Sequence, residues 1–101
     1  MNNKGAQATS KIVTLARQFQ INNAMGMHAR PAALFVKTAS RFESDITVEK
    51  DDMSVSGKSI MGLMTLEASI GTTLKITATG LDAQEALDEL QLLFEKKFFE
   101  D

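Results

Sequence analysis

The chain has no cysteine, no tryptophan, no tyrosine, one proline and one histidine among its 101 residues. Without cysteine there is no disulfide framework and no thiol chemistry. A single histidine is too few for a metal centre, which takes three or four side-chain ligands, so no metal and no cofactor are expected. Neither sign of charge dominates. The formal net charge of −2 gives no reason to expect nucleic acid or an anionic membrane as partner. A sheet that binds RNA is further disfavoured by the want of exposed aromatic motifs on strands and of a basic face. Long apolar runs are missing too. No stretch approaches the roughly 20 apolar residues of a membrane span, and residues 1–11 carry no apolar core of signal-peptide length, so no membrane insertion and a cytoplasmic location are expected.

What is present fits one domain. At 101 residues and 44% apolar content, two domains would each be too small for a good core. Residues 1–12 read as a flexible tail and residues 13–101 as the folded unit, a monomer.

Residues 14–21 predict a first strand with Leu15, Phe19 and Ile21 on one face, where Arg17 is out of place. A helix follows, with apolar positions 32, 35, 36, 39 and 42 at helical spacing, ending between residues 40 and 43. Residues 46–50 and 53–56 alternate, with Ile46, Val48, Met53 and Val55 inward. Asp51-Asp52 between them is a two-residue turn, although a glycine would accept positive φ without steric cost. Residues 59–66 predict a short helix, apolar nearly all round. Leu74, Ile76 and Ala78 mark a fourth strand. Asp82 and Glu85 match a capping box ahead of a stripe of Ala83, Ala86, Leu87, Leu90, Leu93 and Phe94. Lys96 and Lys97 suit the last turn's dipole, and Phe98 and Phe99 are open between packing back and lying exposed. The order is βαββαβα. One apolar face per strand predicts an antiparallel sheet covered on one side by helices, with the fourth strand between the first two.

Chemistry concentrates in Gly26-Met27-His28-Ala29-Arg30-Pro31-Ala32. Proline is tolerated in a helix's first turn, which puts His28 at the mouth of the following helix with free amides behind it. Such a mouth is an anion site. A lone histidine is most often a surface or capping residue; this placement favours phosphoryl chemistry, since an imidazole with a reference pKa of about 6.5 is a neutral nucleophile near pH 7. Arg30 opposes the helix dipole, which makes sense if an anion sits between them. No serine is fixed beside His28, so a hydrolytic triad is weak.

Gly57-Lys58-Ser59 resembles the end of a P-loop, but position 52 is Asp where that motif needs glycine. Ser59 is an N-cap first and a phosphorylation site second, because a phosphate at a helix N-terminus is also favoured. Ile60, Met61, Leu63, Met64 and Leu66 cannot all be buried in so short a helix, and an exposed Met-rich remainder would be a docking patch.

These two stretches together resemble HPr, the histidine-containing phosphocarrier family of the phosphoenolpyruvate-dependent phosphotransferase system. The first is similar to that family's active-site signature. Lys58-Ser59-Ile60-Met61-Gly62-Leu63-Met64-Thr65-Leu66 is similar to its regulatory-serine helix. The likeness runs from about Val13 to Phe94. It implies an α+β open-faced β-sandwich, a four-stranded antiparallel sheet of order 1-4-2-3 with three helices on one face. It implies that His28 takes a phosphoryl group on Nδ1 from enzyme I and passes it to enzyme II A components, a carrier and not a stand-alone enzyme. Arg30 would steady the phosphate. Ala29, Ala33, Ile60, Met61, Met64 and Thr65 would form the docking surface, and Ser59 would be the site of HPr kinase/phosphorylase. The alternative is a docking-only regulatory module switched by Ser59 phosphorylation. The chain departs from the pattern in Asp51-Asp52, in a longer N-terminal tail, and in a C-terminal extension through Phe98, Phe99, Glu100 and Asp101.

Overall fold

Leu74, Ile76 and Ala78 are all fully buried, which places their strand at the centre of the sheet. The computed structural model describes residues 12–100, so all but the last residue of the tail assigned to residues 1–12 lies outside the described residues. The elements are β1 (Val13–Gln20), α1 (Ala29–Ala39), β2 (Asp45–Lys50), β3 (Met53–Ser56), α2 (Ile60–Thr65), β4 (Thr73–Gly80) and α3 (Ala83–Glu95), followed by one turn at Lys97–Phe99. The sheet order is β1-β4-β2-β3 and every neighbouring pair is antiparallel. The three helices pack on one face, as the single apolar face of each strand requires.

α1 forms because Ala32, Phe35 and Ala39 make one buried stripe. α3 buries Ala83, Ala86, Leu87, Leu90, Leu93 and Phe94. Removing a Leu such as Leu87 or Leu90 from water contributes about 1.5–3 kcal/mol. Phe94 is the aromatic hub, stacked on Phe19 at 4.8 Å and edge-on to Phe35 at 6.4 Å and to Phe98 at 5.0 Å.

Four expectations are refined or corrected. Met53 is exposed. It pairs with Lys50 right beside the Asp51-Asp52 turn of the β2–β3 hairpin, on the edge strand of the sheet, where it is 43% exposed. The positive φ of that turn falls on Asp51, at 55°. Arg17 lies on the helical face, where its guanidinium reaches Asp88 at 2.8 Å and the Gln91 side chain at 3.0 Å on the polar flank of α3. The Asp82 capping box does not form. Asp82 makes no side-chain cap for α3 and instead accepts the backbone amides of Glu43, at 2.9 Å, and Ser44, at 3.0 Å, together with the Ser44 hydroxyl.

The chain after α3 turns back through three consecutive left-handed residues, Lys97 (φ 52°), Phe98 (φ 52°) and Phe99 (φ 62°). Such a conformation costs about 1–2 kcal/mol per residue. Burial of Phe98 against Phe94 offsets part of it, while Phe99 stays exposed.

Candidate functional site

His28 is the N-cap of α1, with extended backbone (φ −78°, ψ −175°). Its carbonyl accepts the Ala32 amide at 2.9 Å, the first bond of the helix. Its ring makes no capping bond and is exposed. Ala29 and Arg30 are the first two helical residues. Their amides have no carbonyl four residues back within the helix, so they face outward as donors. Pro31 occupies the third helical position and has no N–H to leave unpaired. The first turn contains no acidic residue. An exposed imidazole, two helix-end amides and the exposed Arg30 therefore meet at one place, an arrangement that suits a phosphate.

The preceding loop is what fixes His28. Gly26 has φ 67°, and a Cβ there would lie 2.9 Å from Ser69 Cα, so only glycine fits. Met27 is buried and donates its amide to Ala68 O at 2.8 Å. Ile21 and Gly71 close the same junction, through Gly71 N to Ile21 O at 2.7 Å and Ile21 N to Thr72 O at 2.8 Å. Asn23 is buried, and its Nδ2 donates to Gly26 O at 2.9 Å and to Glu100 Oε2 at 2.7 Å. Glu100 Oε1 accepts the Met25 amide at 3.3 Å.

His28 stands between two open clefts. One, lined by Met25, Met27, His28, Met64, Glu67, Ala68 and Ser69, leads to α2. The other, about 690 Å³, is lined by Ala24, Met25, His28, Arg30, Pro31, Phe98, Phe99 and Glu100. The residues expected on a docking surface are all exposed: Ala29 and Ala33 on α1, Ile60, Met61, Met64 and Thr65 on α2. Of them Met64 shares a cleft with His28, and Met61 is 73% exposed.

Ser59 is at the other end of α2 and lines neither cleft. Its hydroxyl accepts the Gly62 amide at 2.9 Å, the cap the sequence predicts. Lys58 is tied to the Phe42 carbonyl at 2.7 Å, and Lys50 Nζ closes the far end of α2 on Leu66 O at 2.9 Å. Asn23 and Glu100 are the residues that sequence reasoning missed. They are 77 positions apart, and no local pattern joins them.

No group of three or more potential metal ligands and no helix long and apolar enough to cross a membrane occurs among the described residues.

A family model described as "PTS HPr component phosphorylation site" matches residues 6–96. The HPr-like protein Crh of Bacillus subtilis is 57% identical over 65 residues, 64% of this chain and 76% of that protein. The phosphocarrier protein HPr of Treponema pallidum is 41% identical over 87 residues, 86% of this chain and 99% of that protein. Among solved structures, HPr-C-His from Thermoanaerobacter tengcongensis superposes with a TM-score of 0.83 at 50% identity, covering 86% of this chain and 98% of that one.

Proposed function

From the premise that this chain belongs to the HPr family of the phosphotransferase system, we propose that His28 is its phosphoryl acceptor. The protein is a phosphoryl carrier that moves phosphate between enzymes of that system, not a stand-alone enzyme. The observation that carries the residue-level reading is the exposed imidazole at the N-cap of α1, beside the Ala29 and Arg30 amides.

In this reading the lone pair of His28 Nδ1 attacks the phosphorus held by phosphorylated enzyme I. The N–P bond to His28 forms as the donor's bond to phosphorus breaks. The two amides and the Arg30 guanidinium take up charge on the phosphoryl oxygens. The group then leaves to an enzyme II A component by the reverse exchange. A site with a few exposed donors holds phosphate without trapping it, which suits a carrier. Enzyme I and the acceptor would share the surface of Ala29, Ala33, Ile60, Met61, Met64 and Thr65, because both must approach the same nitrogen.

Ser59 is the regulatory residue of this reading, with HPr kinase/phosphorylase as its modifying enzyme. A phosphate there adds about two negative charges beside the apolar docking face and costs affinity by repulsion and desolvation.

The test is labelling with radioactive phosphoenolpyruvate and enzyme I. The wild type should acquire acid-labile phosphate and His28→Ala should acquire none. Label on the alanine variant would end the assignment. A second reading, a docking-only regulator switched at Ser59, draws support from similarity to two proteins called HPr-like protein Crh. It would take over if wild-type protein stayed unlabelled while its Ser59-phosphorylated form bound a partner.

A further inference from the structure

Glu100 is the last described residue, yet both of its carboxylate oxygens are engaged with the loop that carries His28. Oε2 takes the buried Asn23 side chain at 2.7 Å and Oε1 takes the Met25 amide at 3.3 Å. We infer that Glu100 is a positioning residue for His28, a second anchor of residues 22–27 besides the one that residues 68–72 supply. The inference rests on the reading of His28 as the phosphoryl acceptor.

The chain of contacts is short. Glu100 and the Gly26 carbonyl together fix which way the Asn23 amide points. The Asn23 Nδ2 donates to two oxygens, Gly26 O and Glu100 Oε2, and its Oδ1 has no partner among the described residues. The reversed amide would set an oxygen against both of those oxygens. Asn23 in turn brackets Gly26, because the Gly26 amide donates to Asn23 O at 3.2 Å and the Gly26 carbonyl accepts from Asn23 Nδ2. Only Met27, buried and tied to Ala68, separates that bracket from His28. Release of Glu100 frees the Met25 amide and one bond of Asn23, and the loop then swings on the remaining anchor.

Two features deliver Glu100 to this place. The left-handed turn at residues 97–99 reverses the chain after α3, and Phe98 is buried at 1% exposure beneath it. Glu100 also lines the cleft that holds His28 and Arg30. Its oxygens face loop donors, so its role runs through the loop and not through contact with the phosphoryl group.

The experiment compares full-length wild type, Glu100→Ala, Glu100→Gln and His28→Ala. For Glu100→Ala, kcat of transfer from phosphorylated enzyme I should fall about three- to tenfold, with KM changed less than about twofold, since the lost interaction orients the acceptor and leaves the α2 docking face intact. The Met25 amide should exchange with solvent about tenfold or more faster while Leu90 in the core keeps its protection, which shows a folded protein with a loosened loop. Glu100→Gln retains one acceptor oxygen and should fall between wild type and Glu100→Ala. Wild-type kcat, a change confined to KM, or unchanged Met25 exchange in Glu100→Ala would each overturn the positioning role. If His28→Ala itself takes up acid-labile phosphate, the acceptor assignment fails instead, and the Met25 arm separates the two failures.

Discussion

Asp82 binds Ser44, 38 residues earlier, in preference to the helix it begins. Its carboxylate closes the gap between the end of α1 and the start of α3, and Gly80 allows the approach, since a Cβ there would meet Ser44 Cα at 2.8 Å. The Ser44 hydroxyl, followed by the Glu43 amide, lowers the Asp82 carboxyl below its ordinary 3.8. A carboxyl lowered on folding adds stability that is fully present above the unfolded value and is lost as pH falls through the folded one. Asp82→Asn should therefore destabilise at pH 7 by about 1 kcal/mol, the scale of a hydrogen bond to a charged group that is partly exposed. The deficit should shrink in acid below pH 3.8. Urea midpoints across that range check it; a constant deficit would show that the ionised form is not what matters.

Ser59 permits a separation of cap from charge. Ser59→Ala removes the acceptor of the Gly62 amide and should cost about 1 kcal/mol in unfolding experiments. Aspartate is as good an N-cap as serine, so Ser59→Asp should hold stability within a few tenths of a kcal/mol. The added charge beside Ile60 and Met61 should nevertheless slow transfer from enzyme I. An unchanged transfer rate in Ser59→Asp would remove the electrostatic account of regulation.

Arg30 sits where a cation opposes the helix dipole. Arg30→Ala should accordingly leave stability unchanged or raise it by about 0.3–1 kcal/mol. Transfer should drop by about tenfold or more if the guanidinium meets the phosphoryl oxygens. Thermal midpoints and single-turnover transfer, measured on the same preparation, give opposite signs only if the residue is kept for an anion.

Gly26→Ala tests the loop from its other anchor. A Cβ at φ 67° would press on Ser69 Cα at 2.9 Å, and the clash is with backbone. Unfolding should become easier by about 1–3 kcal/mol, the range for a residue forced into a sparsely populated conformation. Transfer should fall with it, because Met27 and His28 follow directly. A variant of wild-type stability would mean that the loop re-forms around the methyl group.

Much of this molecule was legible in the sequence. Period-two alternation at Leu74, Ile76 and Ala78 identified the central strand, and the stripe from Ala83 to Phe94 identified α3. His28 ahead of Pro31 marked the helix mouth. These signals are local, and burial of one face enforces them. What the sequence hid depends on partners distant along the chain. Asp82 looks like a cap for its own helix until Ser44 is brought beside it, and Arg17 looks misplaced until α3 supplies Asp88 and Gln91. Met53 has the right parity but sits on the edge strand next to its turn and stays exposed. The hold of Glu100 on Asn23 needs the left-handed turn at residues 97–99, which non-glycine residues do not announce.

Placing β4 between β1 and β2 has a consequence for synthesis. Residues 13–20 are synthesised ahead of β2, β3 and α2, yet among the described residues they pair only with the strand at residues 73–80. The β2–β3 hairpin can close on its own short turn, whereas β1 waits for its strand partner until residues 73–80 have been made. The sheet is thus completed only once β4 has been made. The nascent chain shows Leu15 and Phe19 to the surrounding medium for that whole interval.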